Sequence, residues 1–511
     1  MGRLGEIEAT EVIDASGRIV APGFIDLHSH GDLIWAWPSP DRLGLVEGRL
    51  AQGITTEILG NCGLGVAPLS GKAQAILQEI NGWMSPARFP WHWKSLGDYL
   101  SGLERLGLPL NVGTLAPHGP LRIGAMGLMP GEPDAPAVAA MQKELAAALE
   151  AGAFGLSAGL IYPPGMYSST RELIELTSEL RQRGGIFTCH IRGSSETLLP
   201  AVDELIRIGW EGGVPVHHSH AEAVGQAHWY KIEAFLEREA EARSRGLRLS
   251  LDMFPYPVAA TMMLAIYPPW SLEGGLPALL GRLRDPAARQ QIARDIETKA
   301  PEWPPWRVGR WPHNLVRAVG WDRILIASVA SDRNRHLEGI SLAELGRRAA
   351  KSPFDAISDL LLEEEGQIGQ FVLDISGEAG LRRLISERGC AFISDANDYG
   401  KGNPHPAAYG SFPRVLGQYV RVEKLLTLEE AIRRMTSLPA DILGLSDRGR
   451  IREGAWADLV VIDPERVTDR ATLAEPRLKP QGIEAVVVNG ELACRKGKAT
   501  GGLAGRVLRR S

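Results

Sequence analysis

The chain has 511 residues, of which 44% are apolar and 23% are charged, and its 56 basic and 61 acidic residues give a net charge of −5. This composition is typical of a folded globular protein with room for one large domain and one smaller domain. Because there is no excess of basic residues to neutralise phosphates, a nucleic-acid or membrane-surface protein is excluded, and a small-molecule ligand is expected.

The four cysteines are Cys62, Cys189, Cys390 and Cys494, and their wide spacing does not resemble a secreted disulfide framework. The first residues contain no apolar targeting segment, and no run of about 18 apolar residues occurs anywhere in the chain. We therefore expect a soluble cytoplasmic protein in which a cysteine serves as a thiol or a metal ligand.

The two ends of the chain predict one small β domain. Residues 11–20 have the pattern of two short strands about a Ser-Gly turn, which is too little to fold alone. Strand-like segments at 457–463 and 484–491, the second with an Asn-Gly turn signal, supply partners. We assign residues 1–20 and 441–511 to this domain.

Between the ends, strand-like segments alternate with helical ones, which is the pattern of βαβ units. The predicted strands 1 to 8 are residues 23–30, 55–61, 111–118, 153–159, 185–191, 214–220, 248–254 and 390–395. Eight parallel strands with intervening helices predict a (β/α)₈ barrel over residues 21–440.

One long interval interrupts the alternation. Residues from about 260 to 385 contain Trp/Pro-rich segments and one further strand-like run at 323–329. We interpret this interval as an insertion between strands 7 and 8 that forms a lid.

The predicted end of strand 1 carries two histidines in the pattern His-x-His. Residues i and i+2 of a strand point to the same side, so the side chains of His28 and His30 are expected to point the same way. This is the geometry of two ligands of one metal. The alternative is a pair of half-buried histidines with backbone partners.

Other predicted strands end in residues of the same chemistry. Because the carboxyl ends of all strands lie on one rim of a barrel, Cys62, His190, His220 and Asp395 are expected beside His28 and His30. Imidazole nitrogens, a thiolate and a carboxylate form a donor set that suits Zn²⁺. Cys62 could instead be a packed thiol, as we expect for Cys189.

Two further histidines precede His220. His217 is one position out of phase and is expected to be structural, whereas His218 is expected to face the same side as His220 but deeper in the barrel.

Ten segments resemble those of the amidohydrolase superfamily and, within it, the N-acyl-D-amino-acid deacylase (D-aminoacylase) family. They are PGFIDLHSH at 22–30, GNCG at 60–63, GLSAGLIYPPG at 155–165, CHIR at 189–192, SH at 219–220, PY at 255–256, SD at 394–395, HP at 405–406, GSFPRVLG at 410–417 and GRIREG at 449–454. The resemblance covers nearly the whole chain.

The resemblance implies a tightly held zinc on Cys62, His190 and His220, and a second, weaker metal position near His28 and His30. Most of the superfamily has a modified lysine on strand 4 as a bridging ligand, and this chain has Ser157 and no lysine there. The strand-2 cysteine of the deacylase group fits that absence.

The resemblance also implies amide hydrolysis with Asp395 as the general acid/base, because one zinc and one carboxylate activate water, polarise the carbonyl and protonate the leaving nitrogen. A metal ligand or an orienting group is the alternative role for Asp395. Arg192 and Tyr256, at the rim, and His118, at the end of strand 3, are candidate substrate contacts.

Two positions depart from the family. The family usually has a lysine two residues after the strand-6 histidine and an arginine after the His-Pro of the strand-8 loop. Both cations suit a substrate α-carboxylate. This chain has Glu222 and Ala407 at those positions. We therefore expect a linear D-configured amide as substrate, with weak discrimination for a free α-carboxylate. Compared with the usual β-sandwich of the family, the N-terminal part of the small domain is expected to be shorter by about 40–50 residues.

Two other functions stay open. Hydrolysis of a cyclic amide, as in hydantoinases or dihydropyrimidinases, would use the same scaffold, and the missing strand-4 lysine argues against it. A non-catalytic barrel that serves as an interaction scaffold is the second alternative, since a fold does not fix a function.

Overall fold

The structure is a computed structural model that describes residues 11–70, 73–304 and 310–510. All the predicted barrel strands are present, with shorter bounds. They are Phe24–Asp26, Ile54–Leu59, Asn111–Thr114 with Ala116–Pro117, Gly155–Gly159, Ile186–His190, Val216–His218, Leu249–Met253 and Cys390–Phe392. We call them barrel strands 1 to 8, the third being the two pieces separated by Leu115.

The barrel strands pair in parallel throughout, in chain order. The two pieces of barrel strand 3 join the sheets on either side, and the Leu115 N–H donates to the Leu59 carbonyl at 2.9 Å. The Asp395 N–H donates to the His28 carbonyl at 2.9 Å, which connects the end of barrel strand 8 to the end of strand 1. The predicted (β/α)₈ barrel is confirmed.

Helices cover the outside of the ring. Their bounds outside the insertion are Asp32–Ala36, Arg42–Ala51, Ala73–Ile80, Leu96–Leu106, His118–Met126, Ala135–Glu150, Thr170–Arg183, Leu198–Gly212, Lys231–Ser244, Gly377–Ser386, Ala407–Arg414, Leu428–Met435 and Ser437–Leu443, with a π-helix over Val415–Val422. Polar caps fix several starts, as at Ser95, whose hydroxyl accepts from the Asp98 N–H while the Asp98 carboxylate accepts from the Ser95 N–H.

The insertion has its own layer. Its strands Val258–Met262, Ile324–Ser328 and Gly369–Leu373 form an antiparallel sheet with the last strand in the centre. Its helices are Leu276–Arg284, Pro286–Thr298, Leu315–Val319, Leu342–Ala349 and Pro353–Glu363. The strand predicted at 323–329 is therefore confirmed, and the sheet stands over the rim where the barrel strands end.

A separate five-stranded antiparallel sheet joins the two ends of the chain. In spatial order its strands are Ile19–Pro22, Leu459–Ile462, Ile483–Val488, Glu491–Arg495 and Lys498–Ala499. The predicted N-terminal pair of strands is wrong within residues 11–20, because only 19–20 belong to a strand and 11–15 join no ladder. Residues 1–10 lie outside the described residues, and the domain limits at 20 and 440 stay a prediction.

The side chains between sheet and helices are apolar and buried, including Phe24, Leu156, Phe187, Val216 and Phe392. Their burial supplies the main favourable term for holding the helices on the strands. Among the residues that the structure describes, no helix is both long and apolar enough to cross a bilayer.

Candidate metal centre and the cavity above it

Six predicted site residues converge at the rim where the barrel strands end. The Cys62 sulfur lies 3.2 Å from Nε2 of His28, 3.5 Å from Nε2 of His220 and 3.9 Å from Nδ1 of His190. All four side chains are at least nine-tenths buried. The residues predicted as ligands from strands 1, 2, 5 and 6 are therefore neighbours.

The donor set around Cys62 fits a tetrahedral metal. Zinc bonds of about 2.3 Å to sulfur and about 2.1 Å to nitrogen place two ligand atoms about 3.6 Å apart at a tetrahedral angle. The distances from the Cys62 sulfur to His220 and His190, 3.5 and 3.9 Å, bracket that value. The ligand atoms of His28, Cys62 and His220 lie within 4.8 Å of one another. The residues present thus suit a bound Zn²⁺.

A second group of donors shares His28. Oδ1 of Asp395 lies 3.3 Å from Nε2 of His28 and 3.2 Å from Nε2 of His30. These three ligand atoms also lie within 4.8 Å of one another. His28 is therefore placed between the thiol and the carboxylate.

Three of the site residues have left-handed backbone conformations. The φ angles are 52° at Cys62, 37° at His220 and 47° at Asp395. Each such conformation costs a non-glycine residue about 1 kcal/mol or more and persists only where the surrounding structure enforces it. The turns at the ends of barrel strands 2, 6 and 8 aim these side chains at one point.

Ser157 of barrel strand 4 holds the turn that carries Cys62. Its hydroxyl donates to the Gly60 carbonyl and accepts from the Gly63 N–H at 3.1 Å. Both glycines have positive φ, and a Cβ on Gly63 would crowd the backbone of Gly159. At the position where most of the superfamily has a ligand lysine, this chain has a serine that fixes the loop of its cysteine.

Asp252, at the end of barrel strand 7, was missed by the sequence analysis. Its Oδ2 lies 3.5 Å from Nδ1 of His28 and 2.8 Å from Nε2 of His217, and its Oδ1 accepts from the His220 N–H. A carboxylate behind a ligand histidine orients the ring and raises its basicity. A carboxylate at the end of a predicted barrel strand was the available signal.

The charges in the site reinforce one another. Burial alone would raise the pKa of Cys62, but protonated His28 and the hydrogen bonds from His190 and His220 hold it well below its usual range. Burial alone would lower the pKa of His220, but Cys62 and Asp395 raise it to about 9. The site therefore favours the thiolate form of Cys62, which is the form that binds a metal.

The surroundings keep Asp395 charged and His190 neutral. Burial alone would raise the pKa of Asp395, yet His28, His30 and His220 keep it below its ordinary value. Burial and the nearby charge of His220 lower the pKa of His190 to about 4, so its ring is neutral. A neutral imidazole is the form that donates a lone pair to a metal.

A cavity opens above these residues. Cys62, His190, His220 and Asp395 lie in its lining, and the sheet of the insertion lies in the opposite wall through residues such as Ala260 and Phe371. Most of the wall is apolar. The insertion thus covers the reacting groups, as expected for a lid.

Tyr162 is a second residue that the sequence analysis did not single out. Its hydroxyl lies 3.0 Å from Nδ1 of His190, and its side chain lines the cavity. Tyr162 follows barrel strand 4 within the segment GLSAGLIYPPG. Its position just after the end of a strand was the one sequence feature that could have indicated a place in the site.

Glu222 also lines the cavity, as the prediction about substrate charge assumed. Burial raises its pKa to about 7, with His220 acting in the opposite direction. Below that pH the side chain is a neutral acid that can donate a hydrogen bond, so its repulsion of an anion is weaker than the sequence alone implies. Ala407 is buried at the start of helix Ala407–Arg414 and does not line the cavity.

The structure does not bring Arg192 to the cavity. Its guanidinium is fully buried and donates through Nε and Nη2 to the two carboxylate oxygens of Glu204, at 2.9 Å each. This bidentate pair leaves no free fork for a substrate. The prediction of a substrate contact at Arg192 is therefore corrected, and the residue ties the loop after barrel strand 5 to helix Leu198–Gly212.

His118 and Tyr256 lie outside the cavity lining as well. Nε2 of His118 is 2.8 Å from the Glu172 carboxylate, and the Tyr256 hydroxyl donates to Asp469 at 3.2 Å. Both side chains are buried and hydrogen-bonded to carboxylates outside the cavity, so the predicted substrate contacts are corrected here too.

His217 and His218 differ in their surroundings. His217 is structural, as predicted, bonded to Ser250 and Asp252. His218 was expected to face the same side as His220, but its Nδ1 lies 2.7 Å from Glu239 of helix Lys231–Ser244. The reason is that barrel strand 6 ends at His218 and the left-handed turn at His220 breaks the alternation.

Comparison with known proteins gives one family. The family model described as "Amidohydrolase family" matches residues 11–305 and 376–493, and the unmatched interval lies within the insertion. N-acyl-D-glutamate deacylase of Alcaligenes xylosoxydans xylosoxydans is 36% identical over 495 residues, which are 96% of this chain and 86% of that protein. D-aminoacylase of the same organism is 31% identical over 512 residues, 100% of this chain and 91% of that protein.

A solved structure is similar over the same extent. It is N-acyl-D-glutamate deacylase from Bordetella bronchiseptica, complexed with zinc and a phosphonate inhibitor that mimics the tetrahedral intermediate of its reaction. It shares 32% identity and a TM-score of 0.78, covering 99% of this chain and 92% of that one.

Proposed function

The chain belongs to the amidohydrolase family, and from that premise we propose that it is a zinc-dependent hydrolase of linear amides, with N-acyl-D-amino acids as its substrate class. One observation carries the proposal. The Cys62 sulfur lies within metal-binding distance of His28 and His220, and Asp395 lies beside them on the same rim. The deacylase names of the similar proteins support the choice of substrate.

We assign the tight zinc position to Cys62, His190 and His220, and a second, weaker metal position to the neighbourhood of His28 and His30. When bound, zinc acidifies a water and polarises the amide carbonyl. His28 lies next to both groups of donors, at 3.2 Å from the Cys62 sulfur and 3.3 Å from Oδ1 of Asp395. We propose that Asp252 holds the His28 ring in place for either position.

Asp395 carries the proton in this proposal. Its lowered pKa means that it is a carboxylate at neutral pH, so Oδ1 or Oδ2 can accept the proton of the attacking water. The same carboxyl group then donates that proton to the departing nitrogen. The left-handed turn at Asp395 fixes the carboxylate at the rim, which keeps both transfers within hydrogen-bond reach.

A reducing compartment fits this site, and we propose the cytoplasm. The four cysteines are free and buried. Cys62 must stay a thiolate to bind a metal, and oxidation would remove a ligand. The partner we infer is the small-molecule amide substrate alone.

The test is a hydrolysis panel on zinc-loaded protein. It contains N-acetyl-D-amino acids, their L enantiomers, the corresponding uncharged amides, and hydantoin. We expect turnover of the D compounds and at least about a hundredfold slower turnover of the L compounds. Activity on hydantoin with none on the acyl compounds would overturn the proposal in favour of a cyclic-amide hydrolase.

A further inference from the structure

The loop after barrel strand 8 brings a lysine to the cavity. Lys401 lies in the lining with Asp395 of the same loop. Of the described residues in that lining, it is the one lysine or arginine side chain. The two positions at which the resemblance leads us to expect a cation hold Glu222 and Ala407 here, so Lys401 is the side chain that can take that role.

The local sequence Gly400-Lys401-Gly402 fixes this lysine. Both glycines have left-handed backbones, with φ of 74° and 59°. A Cβ on Gly402 would overlap the Ser328 side chain at the edge of the insertion sheet, and the Asn403 N–H donates to the Ala327 carbonyl at 2.9 Å. Only glycine permits this close approach, which holds the loop that carries Lys401 against the insertion sheet.

The ammonium of Lys401 has one fixed partner. Nζ donates to the Gly82 carbonyl at 3.0 Å, which leaves further N–H donors. Within the described part of the chain no carboxylate forms an ion pair with it, and burial alone lowers its pKa, to about 8.

Lys401 is half-buried, and a cation that has lost part of its hydration without gaining a counter-ion is stabilised when a ligand supplies the opposite charge. We propose that Lys401 is the specificity-determining cation of this enzyme and binds a carboxylate of the substrate away from the amide that is cleaved. This inference rests on the proposed function. It replaces the expectation of weak discrimination for a carboxylate, which considered positions 222 and 407 alone.

A carboxylate can come from the α position of an N-acyl amino acid or from an acidic side chain. Two matched pairs distinguish these sources. N-acetyl-D-leucine and N-acetyl-D-leucinamide differ in the α-carboxylate, and N-acetyl-D-glutamate and N-acetyl-D-glutamine differ in the side-chain carboxylate. Each pair compares a charged group with a neutral group of almost the same shape.

The variants are Lys401→Met, which keeps the length of the side chain, and Lys401→Arg, which keeps its charge. Lys143→Met on the exposed face of helix Ala135–Glu150 is the control. In Lys401→Met, the acid-to-amide ratio of kcat/KM should fall about 10- to 100-fold for one pair, through KM, with kcat on the amide within about threefold of wild type. Lys401→Arg should keep most of the ratio, and Lys143→Met all of it.

Two results would overturn the assignment. One is an acid-to-amide ratio of kcat/KM that stays within about twofold of wild type in Lys401→Met for both pairs. The other is an equal loss of kcat/KM on acid and amide, which would mark Lys401 as structural. Failure of the proposed function is a separate result. If zinc-loaded wild type hydrolyses none of the four compounds, calorimetric binding of each pair to wild type and Lys401→Met still decides whether Lys401 binds a carboxylate.

Discussion

The sulfur of Cys62 and Nε2 of His28 lie 3.2 Å apart, although the residues are 34 positions apart in the chain. They come from neighbouring parallel strands, and the left-handed turn at Cys62 bends its side chain back toward barrel strand 1. Strand 4 contributes the Ser157 hydroxyl to that turn and no ligand. The metal centre of this chain therefore depends on the thiolate.

The first prediction concerns the cysteine ligand. Cys62→Ala removes the sulfur that lies beside the ring nitrogens of His28, His190 and His220, so the purified variant should contain markedly less zinc than wild type. Metal analysis by mass spectrometry measures this. Cys390→Ala, which removes a buried thiol from barrel strand 8, is the control and should keep its zinc. Equal zinc in Cys62→Ala and wild type would refute the ligand assignment.

The second prediction concerns proton transfer. Asp395→Asn keeps the shape of the side chain but cannot accept a proton, so kcat should fall by at least ~10²–10⁴. The zinc at the Cys62 position should remain. A variant that stays active, or one that loses its tightly bound metal, would contradict the acid/base role and favour a ligand role instead.

The third prediction concerns Asp252, which lies behind the His28 ring. Asp252→Asn weakens the bond that orients His28 and removes the charge that pairs with it, so the affinity of the weaker metal position beside His28 should fall about 10- to 100-fold. Competition with a chromogenic chelator measures the dissociation constant. An unchanged constant in a folded variant would show that Asp252 serves only His217.

The fourth prediction concerns pH. Burial lowers the pKa of Lys401 to about 8, so its ammonium is charged below that pH and loses its charge as the pH rises through it. In the free enzyme, the acid-to-amide ratio of kcat/KM should therefore be level at about pH 6–7 and fall above about pH 8. Groups that act equally on both substrates cancel in the ratio. Glu222, whose pKa burial raises to about 7, repels the acid alone, so the profile is compared with that of Lys401→Met, in which only the Glu222 contribution remains. A ratio that is flat to about pH 10 would argue against binding by Lys401.

The barrel and most of its rim were predictable because both depend on local pattern. Short apolar runs give the strands, and parallel strands that end on one rim bring His28, Cys62, His190, His220 and Asp395 together. Their convergence in the structure follows from topology, which the alternation of strands and helices already contains.

The remaining parts depend on contacts between distant segments. Arg192 was predicted at the rim because it follows His190 by two residues, but Glu204 on the next helix draws its guanidinium away from the cavity. The place of Lys401 depends on how its loop packs on Ser328 of the insertion, which no local pattern reveals.

The central claim is that one metal held through Cys62 makes this chain an amide hydrolase. The most direct measurement is turnover of an N-acetyl-D-amino acid by chelator-stripped protein during titration with Zn²⁺. We predict no turnover without metal, a rise to full activity by about one equivalent, and no comparable rise in Cys62→Ala. Full turnover by the stripped protein, or no turnover at any zinc level, would contradict the claim.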